Sequence, residues 1–422
     1  MANGGTVSQS ILVVGGGMSG LTAALEAAEA GYDVYLVEKN PYLGGRVAQL
    51  HHYFPKLCPP LCGLEINFRR IKSNPRVRFF TMAEVQRISG EEGDLDVTVK
   101  INPRYVNEKC TGCAKCSEVC TMEIDNPFNY NMNKMKAAYL PHDMAFPLRY
   151  VLDPALVKSA EAQKVKEACP YDAIELDMAA KTVDLKVGAV VWATGWKPYD
   201  PAKLESYGFG KHPNVITNVM MERLASWNGP TQGKILRPSD GQAPKNIAFV
   251  QCAGSRDQNH LAFCSGICCL ASLKQTTYIR EQYPDAKVTI FFIDIRATDR
   301  LEDFFVKVKS DENLTLFKGK VAQINQDEAT KNLILRVEDT TTEKLHEITV
   351  DMVVLATGMQ PNTADNPLPT SVAYDDYGFV ASLKAKPGIF AAGCTRTPVG
   401  VSESVQDGTA AALKAIQSIV RR

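Results

Sequence analysis

The sequence predicts an α/β fold: two βαβ-based units on parallel sheets, interrupted by a cysteine-rich insertion. Three observations predict it. A glycine-rich strand–turn–helix opens the chain, the turn Ala-Thr-Gly closes two distant strands (Ala193-Thr194-Gly195 and Ala356-Thr357-Gly358), and twelve cysteines fall in clusters. At 422 residues, two or three domains are expected. An apolar content of 45% excludes a wholly disordered chain. Forty-seven basic against forty-seven acidic residues argue against nucleic-acid binding as the main activity. No apolar run approaches the ~18 residues of a membrane span, and the first residues lack a basic-then-apolar leader. The expected location is therefore cytoplasmic, where clustered cysteines point to metal or redox chemistry rather than disulfides.

The first element is ILVV, a short apolar run that reads as a buried parallel strand. Gly15-Gly16-Gly17-Met18-Ser19-Gly20 follows and fits G-x-G-x-x-G. LTAALEAAEA reads as a helix ended by Gly31, and DVYLVEK as a second strand ending at Glu38. Gly15 permits the tight turn, Gly17 lets backbone approach a pyrophosphate, and Gly20 lets helix and strand pack closely. Met18 and Ser19 begin the helix, whose free N–H groups and dipole favour an anion. Glu38, with Lys39 beside it, is placed to accept from ribose hydroxyls, and its charge disfavours a 2′-phosphate. Strand, helix and acid all fall at the offsets of a dinucleotide site.

Gly44-Gly45-Arg46 comes soon after Glu38. This turn resembles that of two-dinucleotide-binding-domain flavoproteins of the thioredoxin-reductase and glutathione-reductase type. The resemblance implies FAD, with this turn close to its pyrophosphate and flavin. The two Ala-Thr-Gly strand ends agree, which adds Ala193, Thr194, Gly195 and Gly358 to the expected cofactor-binding residues. GIFAAGC, residues 388–394, resembles the strand that passes the ribityl chain, at Gly393 and Cys394. That family usually has Asp where this chain has Cys394. VRFFTMAEV has the form that presents backbone to adenine, near Val85.

The second unit opens with the strand KNIAFVQCAGSRD, but no G-x-G-x-x-G follows, so no NAD(P)H site is expected. Cys252, Cys264, Cys268 and Cys269 stand there instead. Four thiolates are the usual complement of a [4Fe–4S] cluster; a zinc site and reduced core cysteines are the alternatives. Cys110, Cys113, Cys116 and Cys120 form C-x2-C-x2-C-x3-C, a bacterial ferredoxin signal. In two-cluster ferredoxins the fourth ligand comes from a Cys-Pro in a second motif, and here Cys169-Pro170 is available. The expected second [4Fe–4S] site is Cys110, Cys113, Cys116 and Cys169, with Cys120 left over; four ligands from 110–120 are the competing arrangement. Cys58 and Cys62 follow the Gly-Gly-Arg turn as C-x3-C. They read as a flavin-facing catalytic thiol pair, as cluster ligands, or as inert loop cysteines.

The expected domains are an FAD-binding part at 1–105, a ferredoxin-like insertion at 106–178, a second FAD part at 179–209, a degenerate second Rossmann domain with a cluster at 210–350, and a C-terminal FAD part at 351–422. With the motifs in this order, the whole chain resembles the A-type subunits of heterodisulfide reductase-like complexes, down to C-x-G-S-R-D at residues 252–257. It lacks their C-terminal ferredoxin extension, which suits the shorter, quinone-interacting membrane-bound oxidoreductase branch. That branch implies electron transfer between the menaquinone pool and adenylylsulfate reductase, with electron bifurcation or confurcation. Its partners would be adenylylsulfate reductase, a heme-bearing membrane subunit and a second flavin/iron–sulfur subunit, holding the chain at the inner membrane with no span of its own. The A-type chain of heterodisulfide reductase proper and a stand-alone flavin disulfide reductase are the alternatives.

Overall fold

The structure is a computed structural model that describes residues 8–54, 56–381 and 386–420. The stretch 1–7, read above for a leader, lies outside the described residues. The chain forms two compact units, Met1–Trp196 with Pro361–Arg422, and Lys197–Gln360.

Unit 1 centres on a five-stranded parallel sheet in the order Ile389–Ala391, Ala189–Trp192, Ser10–Val14, Asp33–Glu38, Val77–Thr81. The first strand is covered on both faces. Ile11 and Val13 enter one apolar cluster with Leu21 and Leu25 of helix Met18–Glu29, while Leu12 and Val14 enter another with Val97 and Trp192. That double burial is why its sequence reads as an unbroken apolar run. Helix Val401–Val420 packs on Met18–Glu29, and Gly408 makes the approach possible: a Cβ there would stand 2.5 Å from the Ser19 carbonyl oxygen.

A second sheet in unit 1 is antiparallel, with Asp94–Ile101 between Ala83–Glu91 and Lys181–Val187. Ile101 pairs with Lys181, so the chain between them leaves and returns at one point of the sheet. The intervening segment has a core of its own around Val106, Cys116, Cys120, Leu152, Leu156, Val165 and Ile174. Its ends are tied by a Val106–Ile174 bridge and by Asn107, which donates to Ala173 O at 2.8 Å and to Glu175 Oε1 at 2.6 Å.

Unit 2 holds a seven-stranded sheet in the order Val215–Thr217, Met352–Thr357, Asn246–Ala253, Lys287–Phe292, Leu314–Gln326, Leu333–Asp339, Lys344–Val350. The first five are parallel and the last two add an antiparallel meander. Helix Cys268–Gln282 joins Asn246–Ala253 to Lys287–Phe292, and Leu301–Lys309 precedes the next strand.

Two boundaries fall elsewhere than the sequence expectation put them. Met352–Thr357 is an interior strand of unit 2, with Val353 and Leu355 fully buried in that unit's core. The C-terminal part of unit 1 thus begins at 361 rather than 351, and unit 2 begins at 197 rather than 210. Gly358, expected among the cofactor-binding residues of the FAD part, lies in unit 2, where a Cβ would meet Ser255 Oγ at 2.0 Å. The two Ala-Thr-Gly turns end equivalent strands in different sheets.

Candidate functional site

In unit 1 the glycine-rich loop joins Ser10–Val14 to the 12-residue helix Met18–Glu29. Gly15 sits at φ +111°, and a Cβ there would meet Ala193 O at 2.1 Å. A Cβ on Gly20 would meet Gly15 O at 1.8 Å, so helix and loop touch backbone to backbone. Gly17 differs: the only atom within 4 Å of its Cβ position is Gly45 Cα at 3.9 Å. The space over Gly17, at the start of a helix carrying Met18 and Ser19, is the cradle a pyrophosphate needs. Gly44 and Gly45 take positive φ and close beside it, with Gly44 N donating to Gly16 O at 2.7 Å. Arg46 turns back, donating through Nε to Trp196 O and lying 5.3 Å from the Trp196 ring centroid.

Glu38 is buried at the end of its strand. Oε2 accepts from Gly16 N at 2.6 Å, and Oε1 from Asn40 N at 2.7 Å and Asn40 Nδ2 at 2.8 Å. Burial raises its pKa, against the opposing pull of these bonds and of neighbouring Lys39. Glu38 therefore braces the loop as well as offering a remaining lone pair to a ribose. Thr194 and Gly195 meet Thr395 Oγ1 at 3.2 and 3.1 Å, and Asn362 Nδ2 donates to Thr194 O at 2.6 Å. Gly393 abuts Ser19, and its N–H donates to Asp407 Oδ2 at 2.6 Å. Cys394 lies 3.5 Å from Val399 O, and burial pushes its thiol up to about 11. A neutral thiol is a poor substitute for the carboxylate that the resemblance expects there. Val85 packs into the core on the edge strand Ala83–Glu91, opposite Val99. Thr395, Asn362, Asp407 and Trp196 escaped the sequence reading because no motif or spacing marks them.

Cys58 pairs with Tyr53, whose amide donates to Cys58 O at 3.2 Å; Cys62 is exposed in the first turn of Leu61–Ser73. Burial first, then both thiols, raise the Tyr53 pKa. Leu64 of this helix stands 3.2 Å from a Cβ position on Gly44, so the helix rests on the Gly-Gly turn.

In unit 2 the ladder between Asn246–Ala253 and Met352–Thr357 slips between Val250 and Ala253. The bulge falls on Gln251 and Cys252, and Cys252 takes φ +57°. Bulges of this kind re-aim a side chain. Cys268 and Cys269 open the 15-residue helix Cys268–Gln282, and Gly266 N donates to Cys264 Sγ at 3.3 Å. Burial pushes the Cys252 thiol up to about 11, with Cys269 adding to the rise; the Cys268 thiol is raised further by burial and by Cys269, Cys252 and Cys264. The four thiols are thus electrostatic neighbours. Where a phosphate would approach, the Tyr199 ring lies on Gly254 (2.3 Å from its Cβ position), and Tyr199 Oη is 2.7 Å from His260 Nδ1.

In the insertion, Cys110 and Cys113 raise the Cys116 thiol after burial has done most, to about 12. Helix Lys115–Val119, which carries Cys116, packs on Ala162–Glu167, just before Cys169. Ala173 N donates to Cys169 Sγ at 3.4 Å. Cys120 is 2% exposed in the core, 3.6 Å from Met122 O. Among the described residues, no three His, Cys, Asp or Glu converge as one metal ion would need. A four-iron cluster takes one thiolate at each of four separate irons, and donor sets of thiols alone with N–H groups on sulfur fit it.

Residues 10–65 match the family described as FAD dependent oxidoreductase. The chain is 38% identical over 426 residues to the second iron-sulfur A-type chain of CoB--CoM heterodisulfide reductase from Methanopyrus kandleri, covering 98% of this chain and 65% of that one. It is 36% identical to the A-type chain of the Ferredoxin/F(420)H(2)-dependent CoB-CoM heterodisulfide reductase from Methanosarcina acetivorans, covering 99% of this chain and 54% of that one. The chain therefore spans between half and two thirds of the length of these homologues. Lactococcus lactis thioredoxin reductase superposes with a TM-score of 0.54 at 14% identity, over 98% of this chain and all of that one. The fold is that of the thioredoxin-reductase-like two-dinucleotide-binding flavoproteins. No helix among the described residues is long and apolar enough to cross a membrane.

Proposed function

We propose that the chain is an FAD- and iron–sulfur-dependent oxidoreductase that carries electrons as the A-type subunit of a heterodisulfide reductase-like complex. The observation that carries this reading is the thiol set of unit 2. Cys252 stands at a bulged strand end, Cys268 and Cys269 at a helix start and Cys264 in the loop between them, where a dinucleotide phosphate loop would otherwise lie. When bound, FAD supplies two-electron chemistry and each cluster one-electron steps. The residues divide the tasks. Gly17, Met18 and Ser19 leave room and donors for the pyrophosphate, Glu38 fixes the loop that holds it, and Arg46 is braced on Trp196. Cys252, Cys264, Cys268 and Cys269 hold one [4Fe–4S] cluster; Cys110, Cys113, Cys116 and Cys169 hold the other. The homologues' names favour heterodisulfide reductase over the quinone-linked reading.

Anaerobically purified protein should contain FAD and roughly eight iron atoms per chain. Cys268→Ser should retain FAD, lose about half of the iron, and slow flavin reduction by a low-potential iron–sulfur donor. Wild-type protein without iron, or a Cys268→Ser protein with full iron and unchanged flavin kinetics, overturns the reading.

A further inference from the structure

Three buried side chains beside the unit 2 thiols carry polar atoms that pair with none of the described residues. Gln251, 7% exposed, leaves both Nε2 and Oε1 unbonded, and Ser255 and Ser272, 4% and 0% exposed, leave their hydroxyls unbonded. A buried donor without a partner has given up its hydration and gained nothing in return. On the helix that carries Ser272, other hydroxyls are satisfied: Thr276 Oγ1 donates to Leu273 O and Thr277 Oγ1 to Lys274 O, each at 2.7 Å. Ser272 makes no such bond.

Position sets Gln251 and Ser272 apart from ordinary packing residues. Gln251 immediately precedes Cys252, in the bulge of strand Asn246–Ala253. Ala248, Val250 and Ala253 enter the core cluster on the meander side of the sheet, to which helix Cys268–Gln282 contributes no residue. Alternation along the strand turns Ile247, Phe249 and Gln251 to the other side, and the helix packs on this strand and on Met352–Thr357. Ser272 stands four residues after Cys268, on the same helix face one turn along. The free donors therefore lie between the strand end that carries Cys252 and the helix start that carries Cys268 and Cys269. Ser255 is near as well, its N–H donating to Cys252 O at 3.2 Å.

We propose that the Gln251 carboxamide and the Ser272 hydroxyl donate hydrogen bonds to sulfurs of the unit 2 cluster and raise its reduction potential. This rests on Cys252, Cys264, Cys268 and Cys269 holding that cluster. Sulfides and thiolates accept hydrogen bonds and donate none, so such a cluster matches an N–H₂ and an O–H left without acceptors. Because both ends of the amide are unpaired, an N–H₂ is free whichever way it is turned. Hydrogen bonds to sulfur are among the levers that set a cluster's potential. On reduction, one electron enters from the reduced flavin or an iron–sulfur donor; no proton moves and no bond to iron breaks. Negative charge on sulfur grows, and a dipole whose hydrogen faces that sulfur favours the reduced state. Gln251 and Ser272 are positioning residues in this sense: they act on the electron's resting place and hold no iron.

Redox titration of the anaerobically purified full chain, followed by electron paramagnetic resonance, tests this. Cys268→Ser assigns which signal belongs to unit 2. Gln251→Met keeps the side chain's length and removes its polar atoms. It should retain iron and FAD while the unit 2 midpoint falls by about tenfold in reduction equilibrium, about 59 mV for one electron. The midpoint of the insertion signal should not move. Ser272→Ala should shift the unit 2 midpoint in the same direction, and the double variant further than either. Wild-type protein isotopically labelled at the glutamine side-chain nitrogen should show a nitrogen coupling on the reduced unit 2 signal by electron–nuclear double resonance. Absence of that coupling overturns the proposal without any variant having to fold. An unchanged or raised midpoint in Gln251→Met with full iron overturns it too. Wild-type protein lacking iron overturns the cluster reading instead.

Discussion

Gly17 and Gly20 share a motif but differ in what a methyl group would touch. Beyond Gly17 lies open space; beyond Gly20 lies the Gly15 carbonyl at 1.8 Å. Gly17→Val should therefore yield folded protein without bound flavin, with a melting temperature within a few degrees of the flavin-free wild type. Gly20→Ala should lower stability itself, by about 1–3 kcal/mol or more. Absorbance after gel filtration and thermal denaturation separate the two. The room over Gly17 and the close packing at Gly20 were legible in the sequence because the motif demands both. Glu38 reads in the sequence only as a candidate ribose acceptor; its bonds to Gly16 and Asn40 depend on how the loop folds back, which no spacing encodes. Burial also sets the thiols apart. In iron-free protein near neutral pH, Cys62 and Cys113, both exposed, should be alkylated first. Cys252 and Cys116, with pKa values pushed up to about 11 and 12, should react slowly until the pH approaches those values, since only the thiolate is nucleophilic. Mass spectrometry of a timed iodoacetamide reaction gives the order.

At the scale of elements, the adjacent cysteines 268 and 269 become intelligible once a helix is seen to begin at that point. The sequence could suggest that start. It could not show the bulge at Gln251 and Cys252, which depends on the partner strand Met352–Thr357. The same strand exposes the limit of a repeated motif. Ala-Thr-Gly marks a strand end facing a turn, but which sheet the strand joins is decided by its neighbours, and those lie far away in sequence. In the insertion, the Val106–Ile174 bridge brings the chain before Cys110 beside the chain after Cys169. Cys169→Ser should cost about half of the iron. Cys120→Ser should leave the iron in place but place a hydroxyl in a core site, lowering stability by about 1–3 kcal/mol. Iron analysis beside a denaturant melt checks both, and iron lost only from Cys120→Ser would favour the four-cysteine arrangement within 110–120.

The whole molecule keeps two Rossmann-like frames whose loops differ. Unit 2 retains strand, helix and strand, yet Tyr199 covers the glycine where a pyrophosphate would approach. NADH or NADPH added anaerobically should leave the flavin absorbance unchanged over minutes, whereas a low-potential iron–sulfur donor should bleach it; bleaching by either nucleotide would refute this assignment of unit 2.

Unit 2 is one uninterrupted stretch, Lys197–Gln360, while the flavin cradle awaits Ile389–Ala391 and Val401–Val420. During synthesis, domains fold as they emerge, at ~5–20 residues per second. The unit 2 thiols are thus assembled on the ribosome seconds before the strand and helix that finish the flavin wall. With the proposed ligand sets, iron delivery and flavin delivery become separate events in the life of the polypeptide, with iron first. On the proposed ligand set, a cell short of riboflavin would accumulate chains already charged with iron in unit 2, whereas a cell short of iron would release chains with flavin bound and those thiols empty.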